Sequence, residues 1–213
     1  MAYTAIEEAH RASSLGSADE VVAWREKARA ISEATPEAFT ERPIEDVIRA
    51  RRSTRRFSHE TITREQLEHA LAAATAPIPG DAFGAELVEP FVIMNAVTGV
   101  ARGAYRGDLT PIRRGDFRRE AGELALGQEL GASAAADAYF LADLDMVFVR
   151  FGERGYRVAQ MAGGIAGGRL ELAATAMDLG ATGLTFFDDE VTHFFEPAAA
   201  GRQVMYLAAI GQR

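Results

Sequence analysis

One long helical pattern, residues 156–179, constrains this chain more than any other feature, because it carries four glycines within six positions: Gly163-Gly164-Ile165-Ala166-Gly167-Gly168. A glycine inside a helix costs roughly 1 kcal/mol against alanine. Four therefore cost roughly 4 kcal/mol, a large share of a domain's net stability. Something must offset that loss. Residues without side chains let another backbone or a flat ring system approach closely. Helix–helix or subunit packing with no ligand uses the same smallness, and a break in the helix is a third outcome. The pattern ends at Gly180, a residue suited to a C-cap.

Strand signals surround this helix. Phe91-Val92-Ile93-Met94 reads as a short buried strand, Tyr139-Phe140-Leu141 begins a second, Thr182 to Phe187 forms a third, and Val204 to Ile210 the last. Asp188 to Phe195 reads as a short helix capped by Asp188. Thr63 with Gln66 three residues on is a capping-box pattern, and Leu67, Ala70, Leu71 and Ala74 line one face of the helix it opens. Pro77, Pro79 and Gly80 stop that helix. Pro43 suits the first turn of another, with Val47, Ile48 and Ala50 pointing inward. Residues 119–135 look helical, and residues 99–118 look like a loop with short turns. Uneven interleaving of helices and strands predicts an α+β fold rather than a regular doubly wound sheet.

Residues 1–42 read as an N-terminal helical arm and 43–213 as the main domain. In the arm, Ser17 and Glu20 repeat the capping-box spacing, Val21, Trp24, Ala28 and Ile31 share a face, and Thr35 and Pro36 end the helix. A lone amphipathic helix cannot bury its own stripe, so it packs on this chain or on a partner. Together with the glycine-rich helix, this predicts a dimer with an extensive, largely apolar interface.

Composition narrows the function. Nearly half of the 213 residues are hydrophobic, enough for a sizeable core. A net charge of −8 argues against a global basic field for nucleic acid. The absence of cysteine removes disulfides, thiolate metal sites, catalytic thiols and iron–sulfur clusters. His10, His59, His69 and His193 show no metal-ligand spacing. No apolar run approaches the ~20 residues of a membrane span, and the first residues lack the apolar centre of a signal peptide. A soluble cytoplasmic protein is expected. No G-x-G-x-x-G, Walker A loop, H-E-x-x-H or G-x-S-x-G occurs.

Four segments carry chemistry. Arg51, Arg52, Arg55 and Arg56 fall within six residues of an acidic protein. Guanidinium groups so close repel unless solvated or sharing an anion, and phosphate is the anion arginine binds bidentately. A solvated helix C-terminus, where cations complement the dipole, accounts for the same cluster. The glycine run is the second segment. The third, Gly183-Leu184-Thr185-Phe186-Phe187-Asp188-Asp189, turns from a strand into a helix N-terminus and offers free backbone N–H groups, or is an ordinary connection. The fourth, Glu153-Arg154-Gly155-Tyr156-Arg157, places Tyr156 at the mouth of the long helix as a proton donor, a stacking ring or half-buried structure.

Taken in order, these segments resemble the nitroreductase family from about Pro43 to the C-terminus. Arg51-Arg52-Ser53-Thr54-Arg55-Arg56-Phe57 is similar to the family's basic-Ser-x-basic motif, which holds the FMN phosphate and ribityl chain. Arg150-Phe151-Gly152-Glu153-Arg154-Gly155-Tyr156-Arg157, with the long helix and Gly183 to Asp189, resembles the SagB-type branch, which includes azoline dehydrogenases acting on thiazolines and oxazolines of modified peptides. His10 to Leu15 through Trp24-Arg25 resembles the linker before the second half of tandem members. The resemblance implies a three-layer sandwich, a mixed central sheet flanked by helices in an intertwined dimer with FMN at its interface. It implies FMN contacts from Arg51, Arg52, Ser53 and Arg55. Gly183, Leu184 and Thr185 would pass along the isoalloxazine, with backbone N–H near N5, and Tyr156 is the catalytic candidate. The implied activity is hydride transfer through flavin N5, on a small heterocyclic or peptide-derived substrate. The alternative is a degenerate subunit that binds flavin or peptide and scaffolds a partner enzyme of a peptide-modifying pathway.

Three departures stand out. Many members have polar residues where Gly164, Gly167 and Gly168 stand. Many carry an Asn in the loop that here reads Pro77-Ile78-Pro79-Gly80-Asp81-Ala82-Phe83-Gly84, with Asp81 its only polar side chain. Basic residues beyond the last strand often bind phosphate, but here the sequence stops at Gln212-Arg213.

Overall fold

The computed structural model describes residues 3–28, 42–78, 80, 83 and 85–213. Ile31, Thr35, Pro36, Pro79, Asp81, Ala82 and Gly84 lie outside the described residues, so the end of the arm helix and most of the loop after residue 77 do too.

In chain order the elements are α1 (Thr4–Ala12), α2 (Ala18–Ala28), α3 (Ile44–Ala50), β1 (Ile62–Thr63), α4 (Arg64–Thr75), β2 (Glu89–Met94), β3 (Val97–Thr98), β4 (Gly103–Arg106), β5 (Pro111–Arg114), α5 (Arg118–Leu124), α6 (Glu129–Ser133), β6 (Ala136–Asp143), α7 (Leu144–Phe151), α8 (Gly155–Ala176), β7 (Gly180–Leu184), α9 (Asp188–Phe194) and β8 (Arg202–Gly211). Six strands form one sheet in the order β5-β4-β2-β6-β8-β7, and every pairing within it is antiparallel. Among the described residues, parallel character enters at a bridge between Ser53 and Ala181 on the β7 edge and in the small β1–β3 pair.

Alternation along β6 defines the layers. Ala136, Ala138, Phe140 and Ala142 face the cluster containing Leu170, Ala162 and Ala166 of α8 and Leu67, Leu71 and Ala74 of α4. Tyr139 and Leu141 face the other cluster, with Ala121 and Leu124 of α5 and Val191 of α9. Successive side chains of a strand point to opposite faces, so the central strand is buried on both sides and the molecule is a three-layer α+β sandwich.

Several expectations shift for local reasons. Residues 99–118 hold the β4–β5 hairpin, whose outer strand is largely exposed and shows no alternation. The helix expected over 119–135 splits into α5 and α6, because Leu126 and Gly127 adopt φ of 58° and 73°. An extra helix, α7, is capped by Asp143, whose Oδ1 accepts from the Met146 N–H at 3.0 Å. The long helix stops at Met177, the left-handed turn is made by Asp178 (φ 60°), and Gly180 is the first residue of β7 rather than the cap. β7 ends at Leu184, and α9 has Phe187 at its N-cap with no side-chain cap, so Asp188 belongs to its first turn. Pro43 is the N-cap of α3, and only Val47 of that helix is buried, with Ile48 and Ala50 exposed.

The Thr63–Gln66 capping box is complete, with both reciprocal bonds made. The Ser17–Glu20 box is half made: Ser17 Oγ accepts from the Glu20 N–H, but the Glu20 carboxylate reaches Gly16 instead. Among the described residues the arm holds two helices, and three arginines hold them. Arg150 donates to the Ala28 carbonyl at the end of α2, Arg154 to the Ser13 carbonyl after α1, and Arg157 to the Ser13 hydroxyl. Cations at helix C-termini satisfy orphan carbonyls and the dipole together. Trp24 joins in through an Nε1–H bond to the Phe151 carbonyl and the Arg154 guanidinium over its ring.

Candidate functional site

The basic segment leaves α3 at Arg51 and runs alongside β7. The Thr54 N–H donates to the Ala181 carbonyl at 3.0 Å, and Ser53 bridges Ala181. In a strand the polar groups of alternate residues point to the same edge. Ala181 turns its carbonyl away from β8, so Gly183, two residues on, presents its backbone N–H to the same free edge. Gly183 is itself exposed. Two of the sequence-predicted groups therefore meet: the arginine cluster and the Gly183–Thr185 segment share one edge of the sheet. Thr185 is fixed there from across the layer, its carbonyl and hydroxyl both accepting from the Gln128 amide.

The arginines behave differently from one another. Arg52 donates to the Arg49 and Arg51 carbonyls at 2.7 Å and so closes the end of α3. Arg55 and Arg56 are exposed and form no hydrogen bond or ion pair with the described residues. Arg213 comes to the same corner: its side chain lies against Gly180, next to Thr54, and it donates to the Leu179 carbonyl.

Arg51 turns inward. Its Nη1 meets Glu171 Oε2 at 2.9 Å, and the Tyr206 hydroxyl donates to Glu171 Oε1 at 3.0 Å. Glu171 is only 8% exposed. A buried carboxylate is tolerated when both oxygens are paired, and here both are. Burial, and then the neighbouring Glu171 carboxylate, push the Tyr206 hydroxyl up to about 12, so it stays a donor.

Sequence reasoning missed Glu171 and Tyr206. Glu171 had a signal: a charged residue between Leu170 and Ala173 on the buried face of a helix demands a partner. Tyr206 had none, because its orientation comes from a β-bulge. Phe140 pairs with Tyr206 and Leu141 with Val204, leaving Met205 as the extra residue, and Met205 and Tyr206 both turn toward α8.

The glycines of α8 divide accordingly. A Cβ on Gly163 would lie 2.7 Å from Met205 Cβ, and one on Gly167 only 2.2 Å from Tyr206 Cε1. A Cβ on Gly183 would lie 2.3 Å from the Tyr206 hydroxyl. Gly167 and Gly183 are therefore bare to house the Tyr206 ring. Gly164 and Gly168 meet nothing within 4 Å and form an open row on the outer side of α8.

Tyr156 is not brought to this corner. It stands fifteen residues before Glu171 on α8, about 22 Å along the axis at 1.5 Å per residue. Its hydroxyl accepts from Gln160, and it lines a groove against Ile6, Ala9 and His10 of α1.

The sequence matches the nitroreductase family over residues 48–211, and the chain belongs to that family. It is 28% identical over 164 residues to a protein assigned as a nitroreductase in Methanocaldococcus jannaschii, covering 70% of this chain and 81% of that one. A structure from Anabaena variabilis, likewise assigned as a nitroreductase, is 33% identical with a TM-score of 0.72; it matches 79% of this chain, and the chain spans 38% of its length. Two more distant structures share the fold. One from Desulfovibrio desulfuricans, in complex with FMN, has 22% identity and a TM-score of 0.54, with 81% and 87% of the chains covered. The other, the Escherichia coli microcin synthetase McbBCD complex with truncated pro-MccB17, has 15% identity and a TM-score of 0.66, with 96% and 86% covered.

Among the described residues no helix is long and apolar enough to cross a membrane, and no cluster of acidic and histidine residues suits a metal ion.

Proposed function

We propose that this chain is an FMN-dependent oxidoreductase whose cofactor lies along the free edge of β7, its phosphate toward Arg51, Arg52, Ser53, Arg55 and Arg213. The observation that carries this reading is the meeting of that cationic corner with the outward Gly183 backbone. A phosphate would satisfy Arg55, which has no counter-ion among the described residues, and the exposed backbone of Gly183 offers an edge to a flat ring beside Leu184 and Thr185. The Gly183 N–H is a donor at the ring edge, and the open Gly164–Gly168 row leaves the outer side of α8 clear. Bound FMN supplies hydride transfer through N5, and the protein supplies binding, orientation and the electrostatics around the ring. The FMN complex of the Desulfovibrio relative supports the cofactor. Absorbance of the purified protein, with extraction and mass identification of the chromophore, tests the reading. Colourless protein that FMN does not restore overturns it.

The working unit proposed is a homodimer, or a paired fold with a second, similar half. Met161 beside the open glycine row and Ile44 and Ile48 on α3 are exposed apolar residues that a second chain would cover. Sedimentation at micromolar concentration should give twice the chain mass.

For the substrate, a peptide-derived heterocycle is favoured, as in SagB-type dehydrogenases. The arm adds support, because the microcin synthetase match extends over 96% of this chain. Tyr156, remote from the phosphate corner, would then act at the arm groove or in a site completed by a second chain. The other reading, a degenerate subunit scaffolding a partner enzyme, draws on the chain's spanning 38% of the Anabaena structure. Turnover of an azoline peptide by the FMN-loaded protein alone would exclude it.

A further inference from the structure

Among the arginines of the 51–56 segment, only Arg51 has its guanidinium fixed from below by a buried acid. Arg51 is the residue at which α3 ends, and its long stem would otherwise sample many rotamers. Glu171 takes Nη1 alone, and the Arg51 side chain remains 40% exposed. A guanidinium has five N–H donors in a rigid fork, so the edge formed by Nε and Nη2 stays available. Glu171 cannot drift either. Its second oxygen is held by the Tyr206 hydroxyl, and the Tyr206 ring is wedged between Gly167 and Gly183. The chain of contacts therefore runs from a bulge in β8 to the one arginine of the 51–56 segment whose guanidinium is anchored by a buried acid.

We propose that Glu171 is the positioning residue of an anion site at this corner: with Tyr206 it locks Arg51 so that the unused edge of the guanidinium meets a phosphate group. This rests on the flavin reading for the identity of the ligand but not for the Glu171–Arg51 contact itself. A like charge behind the arginine also repels an incoming phosphate, so positioning and repulsion predict opposite signs when Glu171 is neutralised. An arginine whose fork is pre-aimed loses little freedom on binding, and alignment of one charge-assisted hydrogen bond is worth about tenfold in affinity. Repulsion relayed through an intervening guanidinium at a half-exposed position is screened, so positioning prevails.

The test compares wild type, Glu171→Gln and Tyr206→Phe with three probes: inorganic phosphate by calorimetry, and FMN and riboflavin by fluorescence quenching. Glu171→Gln should bind phosphate and FMN about tenfold more weakly. Tyr206→Phe, which keeps the ring and the charge, should lose severalfold. Riboflavin affinity should stay within about twofold in both, because it lacks the phosphate that Arg51 meets. Unchanged or tighter phosphate binding by Glu171→Gln overturns the proposal, showing that Glu171 competes for Arg51 instead of aiming it. Equal losses for FMN and riboflavin also overturn it, reducing Glu171 to a structural residue. If wild type binds phosphate but neither flavin, the flavin reading falls and the phosphate arm still decides the role of Glu171. If wild type binds no phosphate, both the anion site and this role are refuted.

Discussion

Replacing Gly167 with alanine sets two energies of known sign against each other. Intrinsic propensity favours alanine by about 1 kcal/mol in a helix interior. Against this, the new methyl would lie 2.2 Å from Tyr206 Cε1 and 2.3 Å from Cδ1. Neither contact is tolerable, so the ring or the helix must move. The ring has little freedom: its hydroxyl bonds Glu171, and on its far side it lies against the bare Cα of Gly183. The helix is held by Gly163 against Met205 one turn away. Overpacking of this kind costs about 1–3 kcal/mol, occasionally more, and breaking the Tyr206–Glu171 bond adds about 1–3 kcal/mol because it strands a buried carboxylate oxygen. The clash should win by about 1–5 kcal/mol net, lowering the melting temperature by roughly 2–20 °C for a chain of this size. Gly164→Ala is the internal control. Its methyl meets nothing within 4 Å, so in an isolated chain it should raise stability by about 1 kcal/mol. Thermal melts of both variants, followed by circular dichroism beside sedimentation, read the outcome. A Gly167→Ala protein that melts above wild type would falsify the packing argument. A Gly164→Ala protein that melts lower and loses its dimer would place the partner on the open row.

Other expectations follow from the same contacts. Arg55→Ala, which removes an exposed cation without a partner among the described residues, should weaken FMN binding by roughly 1.5–3 kcal/mol and leave riboflavin nearly unaffected; equal losses would point to general destabilisation. Asp137 is fully buried on β6, and burial raises its carboxyl well above the usual range, with Arg118 opposing. A raised acid favours folding fully below the unfolded value of 3.8 and loses that contribution as pH rises through its folded pKa. Urea midpoints of wild type should therefore fall relative to Asp137→Asn as pH climbs from 4 toward neutrality, and parallel curves would contradict a neutral Asp137. Arg154→Ala removes the bond to the Ser13 carbonyl and the cation over Trp24, the single tryptophan of the chain. Its emission should shift to the red as the arm loosens, and an unchanged spectrum would show that α1 and α2 dock without that arginine.

What could be read from the sequence tracks how local each cause is. The Thr63–Gln66 box and the Leu67–Ala74 face are set by residues three and four apart, and both stand in the structure as expected. Phe91 to Met94 and Val204 to Ile210 were visible because strands buried on both faces are continuous apolar runs. The β4–β5 hairpin was not, since Gly103–Arg106 and Pro111–Arg114 are four residues each and the outer strand faces water. Nor was α7: Leu144 to Phe151 buries only Val147 and Phe151 and leaves Met146, Phe148 and Val149 exposed, which hides any polar face. At the site, the arginine motif and the Gly183 turn could be named from spacing. Their meeting could not, because it depends on one bridge between residues 53 and 181. The roles within the motif were also invisible: Arg51, Arg52 and Arg55 look alike in sequence, yet one is aimed by Glu171, one closes α3 and one is free of partners among the described residues.

The glycine run shows how one sequence signal can have two causes. Residues four apart share a helix face, so Gly163 and Gly167 form one row and Gly164 and Gly168 another, rotated by about 100°. The first row is accounted for within the chain. A bulge puts two consecutive residues of β8, Met205 and Tyr206, on the same side, and each needs the space of a missing side chain on α8. Bulge and glycines are therefore one device, and what it delivers is the Tyr206 hydroxyl to Glu171, and through Glu171 the aim of Arg51. The second row has no such partner, and its cost in helix propensity, about 2 kcal/mol for two residues, is not recovered by any contact in the described chain. A cost left uncompensated in the isolated protomer is the physical reason to look for the second chain or the ligand on that side of α8.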